Sequence, residues 1–422
     1  MRKILCLLSA LFIPGAFLQA QTYTVSDLGG LDGTYSFVSS LSAKGRVVGY
    51  ADTPENTLSH AVLFNGKGIG NTDLGAVGGS VGTGMGINAS GVIVGRSYTT
   101  GDLNYRATRF TGNGSGNTDL GTLGGISSTA TAINAAGIIV GDANREDGSR
   151  HATRFSEGGN TDLGTLGGIY SIATAINSTG TIVGSADLAN GTTRAVKFGK
   201  TKSRNKDLGT LGGTTSVANG INASGVIIGS AEIARSRISH ATRFSGTGTG
   251  NIDLGTLGGF ISYAYGINSS GIIVGQSTIP FEDGGGFHAF IYQKGKMIDL
   301  NSLVQARTGL VLTDARAIND KGQIACNGSL NGANHAFLLD PVDKTPTFKI
   351  TATADPSGKG SVRGGGTYKK GRTINLTATA KNGAKFVKWT ENGKTVSTKK
   401  VYSFKVTKAR KLVAHFRKSG GN

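Results

Sequence analysis

Apolar and polar positions along residues 22–340 follow a pattern that returns every 43–46 residues. Taking residues 128–164 as one turn of it, "STATAIN" (Ser128–Asn134) alternates small and apolar side chains, as a half-buried strand does. "NAAG" then predicts a tight turn, with Asn at its start and Gly free to adopt positive φ at its end. "GIIVGDA" (Gly137–Ala143) is an apolar second strand, and "HATRF" (His151–Phe155) alternates again as a third. A short Gly-rich loop leads to "NTDLG", a short fourth strand, and "TLGG" carries the chain onward.

Three landmarks keep this order. Asp-Leu pairs begin at Asp27, Asp73, Asp119, Asp162, Asp207, Asp253 and Asp299. The turn Asn falls at 88, 134, 177, 222, 268 and 319, with Ser42 in the first copy. The third strand opens with His60, His151, His240, His288 and His335, and with Arg106 and Arg194 in two copies. A period of this length with four strands predicts propeller blades. The seventh copy lacks its own Asp-Leu strand, while "YTVSDLGG" (Tyr23–Gly30) stands spare at the front. Placing that strand beside His335–Leu339 closes seven four-stranded blades into a ring with few free edges. The expected fold class is therefore all-β: a seven-bladed propeller over 21–340 closed by its N-terminal strand, and a small all-β module behind it.

These landmarks resemble the extracellular HAF-repeat family, through "HAF" at His288 and His335, "DLGTLGG", and "AIND-x-G" at Ala317–Gly322. The resemblance covers about residues 22–340. It implies a secreted bacterial repeat protein and no particular catalytic activity.

Composition changes the picture at both ends. Arg2 and Lys3 precede an apolar run broken by Pro14, with Ala20 at a cleavable position, so residues 1–20 are expected to be a signal peptide. With that removed Cys326 stands alone, no intrachain disulfide is possible, and no further segment is long and apolar enough to span a membrane. Residues 341–422 hold 19 Lys and Arg against 3 acids, so most of the chain's net charge of +19 lies in its last fifth. A linker is expected over 341–346, a basic module over 347–418 and a tail at 419–422. The module is similar to the divergent internalin-type B-repeat through "GGGTYKKG", "INLTATAKNGAKFVKW", "VYSF" and "LVAHF". That resemblance implies a β-grasp-like spacer or adhesion module outside the cytoplasm. Phe386, Trp389, Phe404 and Phe416 have the spacing of a small core. Lys369, Lys370, Arg372, Lys399, Lys400, Lys408, Arg410 and Lys411 are candidates for contacting an anionic envelope polymer, by charge and not by sequence-specific reading of nucleic acid.

The sequence offers little catalytic chemistry. "DLGTLGG" lacks the following helix and the GK[ST] of a phosphate loop. Its Asp is expected to accept hydrogen bonds from its own turn, making the segment a joint between blades. The His positions accept Arg in two copies, which suits a shared donor role better than metal ligation or base catalysis. No metal site or cofactor is expected. Loops between second and third strands vary while their flanks repeat, the usual setting of a binding surface. Tyr105, Arg145, Arg235, Arg237, Phe281 and Phe287 are the candidate contacts there. The expected function is non-catalytic adhesion by a monomer to an extracellular glycan, an envelope polyanion or a protein. The alternatives are a polysaccharide-active enzyme built on loop acids such as Asp102, Glu146, Asp147, Glu282 and Asp283, and a purely structural surface protein.

Overall fold

The computed structural model describes residues 21–54, 58–112, 116–343 and 345–418, so the expected signal peptide and the 419–422 tail lie outside the described residues. The chain divides into two compact units, the first ending at Val342 and the second starting at Asp343, within the expected linker.

The first unit repeats one antiparallel sheet. In its third copy Gly124–Ile133, Ile139–Arg145, Arg150–Phe155 and Thr161–Gly164 pair in that order. Seven such four-stranded sheets are present among the described residues, the third and fourth joined by one parallel bridge between Arg150 and Tyr170. In the third, fourth and fifth copies the first strand reaches back to Gly124, Gly167 and Gly212, so the Gly-Gly expected as connection is itself strand. The seventh sheet draws Leu310–Ile318, Ile324–Leu330 and Ala333–Pro341 from one end of the repeats and Tyr23–Asp27 from the other. That front strand pairs antiparallel with the third strand, Tyr23 opposite Pro341 and Asp27 opposite Phe337.

The second strands read as unbroken apolar runs because both their faces are covered. Residues 139–143 are all buried. Val140 and Ala152 of the third sheet pack with Ala173, Ile182, Val196 and Phe198 of the fourth. The same kind of cluster joins the seventh sheet (Leu28, Ala325, Ala336, Leu338) to the first (Val38, Val47, Val62, Phe64). The Gly within "IIVG" is demanded by close approach: a Cβ on Gly141 would stand 1.9 Å from the Thr129 carbonyl oxygen. Cys326 takes this place in the seventh sheet, where the first strand carries an additional register shift between Leu312 and Asp314.

The turn Asn residues link sheet to sheet. Asn134 Oδ1 accepts from the N–H groups of Ala136 and Ile138, fixing its own turn, while Nδ2 donates to the Asn177 carbonyl at 3.1 Å. Asn88, Asn177, Asn222 and Asn268 each donate likewise to the next copy's carbonyl, and Asn319 donates to that of Ser42. Only the Ser42 side chain, too short and lacking the amide, breaks the series.

The second unit holds two sheets. Five strands lie in the order Gly366–Lys369, Thr347–Asp355, Arg410–Lys418, Ala384–Glu391 and Lys394–Ser397, the second and third of them parallel. Three more, Gly360–Arg363, Thr373–Ala380 and Val401–Lys405, form the other. Trp389 and Phe416 are buried with Ile350, Leu376 and Leu412, and Phe386 and Phe404 pack partly buried around them. The all-β part of the expectation describes this unit. Among the described residues it has no α-helix to complete a β-grasp; a second sheet borders the core instead.

Candidate functional site

In all seven copies the repeat Asp uses Oδ1 to accept the backbone N–H two residues on, at 2.7–2.9 Å. Oδ2 faces the third-strand His: Nδ1 of His60, His240, His288 and His335 lies 2.7–3.0 Å from Asp73, Asp253, Asp299 and Asp27, and His151 reaches both oxygens of Asp162. Arg194 stands 3.6 Å from Asp207 in place of a His, and Asp119 sits in the copy that carries Arg106. Each pair stays within one sheet. The Asn two positions before the Asp crosses between copies: Asn160 Nδ2 donates to the carbonyls of Leu120 and Thr122, and Asn71, Asn117, Asn205 and Asn251 repeat the contact. In "NTDLGTLGG" the Asn thus fastens one copy to the one before, and the Asp shapes the turn.

The six loop candidates fall in four different copies. Tyr105 meets Tyr98 edge-on and lies under the Arg96 guanidinium at 4.9 Å. Arg145 is engaged by Asp147 at 2.7 Å and stands 3.7 Å from Asp162. Arg235 and Arg237 are exposed. Phe281 is 90% exposed on a short 3-10 turn, and Phe287 lies 6.3 Å from Tyr263. Of the loop acids, Asp102 is held by the Ser80 hydroxyl and N–H, and Asp147 by those of Ser149; these bonds keep both carboxyls below the usual range.

A cavity of about 290 Å³ is lined by the first strands of all seven sheets. Its wall takes one residue from each copy at the same strand position, flanked by Gly or Ala in six of the seven: Ser39, Met85, Thr131, Thr174, Asn219, Tyr265 and Arg316. Arg316 is the only charged one. Its Nε donates to Asp314 Oδ1 at 2.7 Å, and its guanidinium lies between the rings of Tyr265 (4.5 Å) and Phe37 (5.0 Å). Its two terminal nitrogens bond no acceptor among the described residues. The stack continues on both sides, to Tyr50 and Tyr35 beyond Phe37 and to Tyr263 and Phe287 beyond Tyr265. Burial raises the Tyr50 phenol well above its usual range and pushes Tyr265 up to about 12, so both remain neutral donors. Sequence reasoning found Phe287 and missed the rest. Only Tyr265 and Arg316 carried a signal: their shared position varies among flanks that repeat, as the loops do.

A second cavity of about 270 Å³ is lined by the Asn turns. Ile221, Ile267 and Ile318 line both cavities, so aliphatic side chains part them. A larger cavity, about 660 Å³, lies between Thr22–Val25 and Ser302–Arg307, with Arg307 its one charged lining residue among the described residues.

In the second unit Lys370, Arg372, Lys399, Lys400, Lys408 and Lys411 are exposed. Lys369 is paired with Asp343. Arg410 is committed elsewhere: it donates to both Glu391 oxygens and lies 4.3 Å over Phe404, and it holds the Glu391 carboxyl below its usual range. Its partners make it a cross-strand tie as well as a charge.

Residues 350–420 match the divergent InlB B-repeat domain family. The match spans nearly all of the second unit and does not extend to the repeats. No curated protein matches the chain. A bacterial repeat domain of this family indicates a surface-associated repeat protein. No helix among the described residues is long and apolar enough to cross a membrane.

Proposed function

We propose that the chain is a secreted bacterial surface protein of the HAF-repeat kind that acts by adhesion, without catalysis. The seven sheets close into a seven-bladed propeller, supported by the front strand on the seventh sheet and by the Asn319 to Ser42 bond that carries the ladder from last copy to first. The propeller binds an extracellular glycan. One observation carries this reading: six partly exposed aromatic rings and one guanidinium stack continuously across the sixth, seventh and first copies, while the core aromatics elsewhere are spent on packing. Aromatic faces bearing hydroxyls suit ligands with one apolar and one hydroxylated side, as sugar rings have. The basic module holds anionic polymer through salt-sensitive contacts.

The test is retention of the full chain on immobilised neutral glucan, polyuronate and DNA, in NaCl from about 0.05 to about 1 M. Retention on a glycan that survives high salt reads the propeller; retention on any polyanion that salt abolishes reads the module. No retention on any of them at any salt sinks the adhesion reading.

A further inference from the structure

The ring of seven wall residues breaks the repeat symmetry where the scaffold has no need to. Six copies fold with an uncharged residue at the position of Arg316, so among the described residues the pair it makes with Asp314 has no counterpart there. An ion pair of this kind contributes little stability that a well-packed uncharged pair would not. What it provides is a guanidinium fixed in place by Asp314, Phe37 and Tyr265, with the fork of its terminal nitrogens unspent. A pre-organised fork of this sort matches a carboxylate.

Three further wall residues have the opposite character. Thr131 Oγ1 donates to the Ala173 carbonyl and Thr174 Oγ1 to that of Ala218. Asn219 Nδ2 donates to the Ala264 carbonyl at 3.0 Å. The two hydroxyl protons are committed and Asn219 spends one of its two amide N–H groups, so these side chains present acceptor lone pairs to the cavity, with the second Asn219 N–H beside them. A ligand that fits offers a carboxylate at one end and several hydroxyl donors at the other. The cavity, at about 290 Å³, has room for a sugar unit. We propose that the cavity is a binding site for an acidic sugar residue, its carboxylate on Arg316 and its hydroxyls on Thr131, Thr174 and Asn219. This rests on the glycan-binding reading and names the ligand class.

The test is calorimetric titration of the full chain with methyl β-glucuronide and methyl β-glucoside, in about 0.5 M NaCl to silence the basic module. The expected result is at least about 10-fold tighter binding of the glucuronide, the preference falling about 10- to 100-fold in Arg316→Lys, which keeps the charge and loses the fork. Should that variant fail to fold, Met85→Glu decides, since it sets a competing carboxylate on the same wall without touching the stack and is expected to abolish binding. Equal binding of the two glycosides, or a preference untouched by both variants, overturns the proposal. Retention of the chain on a glycan polymer in high salt with neither glycoside bound overturns it too, and leaves the adhesion reading standing. Loss of polymer retention as well removes both.

Discussion

Ring closure is the step on which the architecture turns, and a matched pair of substitutions measures it. Leu28 follows the front strand; Leu208 holds the same place in the fourth copy. Both are fully buried. Each donates its N–H to a third-strand Ala carbonyl at 2.9 Å, Leu28 to Ala336 and Leu208 to Ala195. Leu28 packs among Val38, Val47 and Phe64, and Leu208 among Ala218, Ile227 and Phe244. The local environments are alike; only the chain connectivity differs, because Leu28 reaches its sheet from more than 300 residues away. Truncating a buried Leu to Ala costs about 2–5 kcal/mol when the surroundings cannot collapse. In a closed ring both substitutions cost that much, since every sheet is clasped by two neighbours. In an open array the front strand is a frayed end, and Leu28→Ala costs under about 1 kcal/mol.

Urea unfolding of the full chain, followed by far-UV circular dichroism, reads the difference. With a slope of about 3 kcal/mol per molar for a body of this size, a loss of about 3 kcal/mol lowers the midpoint by about 1 M. Trp389 is the only Trp in the chain and lies in the second unit, so its fluorescence is an internal control that neither substitution is expected to move. A shift for Leu208→Ala with none for Leu28→Ala refutes the closed propeller.

Further outcomes follow from single contacts. Asn134→Asp keeps both turn bonds but points a carboxylate oxygen at the Asn177 carbonyl, and is expected to cost about 2–4 kcal/mol in the same unfolding assay; a neutral result would deprive the Asn ladder of its role. Gly360→Ala sets a Cβ 2.2 Å from the Phe416 ring and is expected to cost the second unit at least about 2 kcal/mol, read by Trp389 fluorescence while the dichroism of the repeats holds still. The Glu232 carboxyl is lowered to about 2, foremost by the Thr214 hydroxyl and then by the N–H groups of Thr214 and Thr215. A depressed carboxyl contributes stability above its unfolded pKa and loses it as pH falls through the folded one. The melting temperature is therefore expected to fall more between about pH 5 and about pH 2.5 in the natural chain than in Glu232→Gln; parallel profiles would contradict this.

What the sequence made legible depended on repetition. The Asp of "DLG" and the Asn of the turn recur because each copy must solve the same local problem, so their roles were readable from letters alone. The His position was readable as a donor because Arg replaces it twice. The Asn before "DLG" was quoted with the motif yet its reach into the preceding copy was not, since a contact across 40 or more residues leaves no local trace. The Gly-Gly of the connections read as loop because Gly disfavours strands, and tertiary pairing overrode that preference in three copies.

The stack around Arg316 was hidden for the opposite reason. Its members come from the first strands of three copies, the residue just before one of these strands, the second strand of one copy and the third of another, so no window of the chain contains it. Arg316 itself stands inside "DARAIND", where the recurring turn motif draws the eye to Asn319. A repeat protein separates its two kinds of information in this way. Positions that agree between copies state what the scaffold requires of every sheet. Positions that disagree while their neighbours agree are released from that requirement, whether in a loop or on an inner strand. Of the seven wall residues, six are uncharged and one is a guanidinium held on three sides. The scaffold tolerates Ser, Met, Thr, Asn and Tyr there, so its folding does not explain the Arg; a ligand carboxylate does, and the glucuronide titration is where that explanation stands or falls.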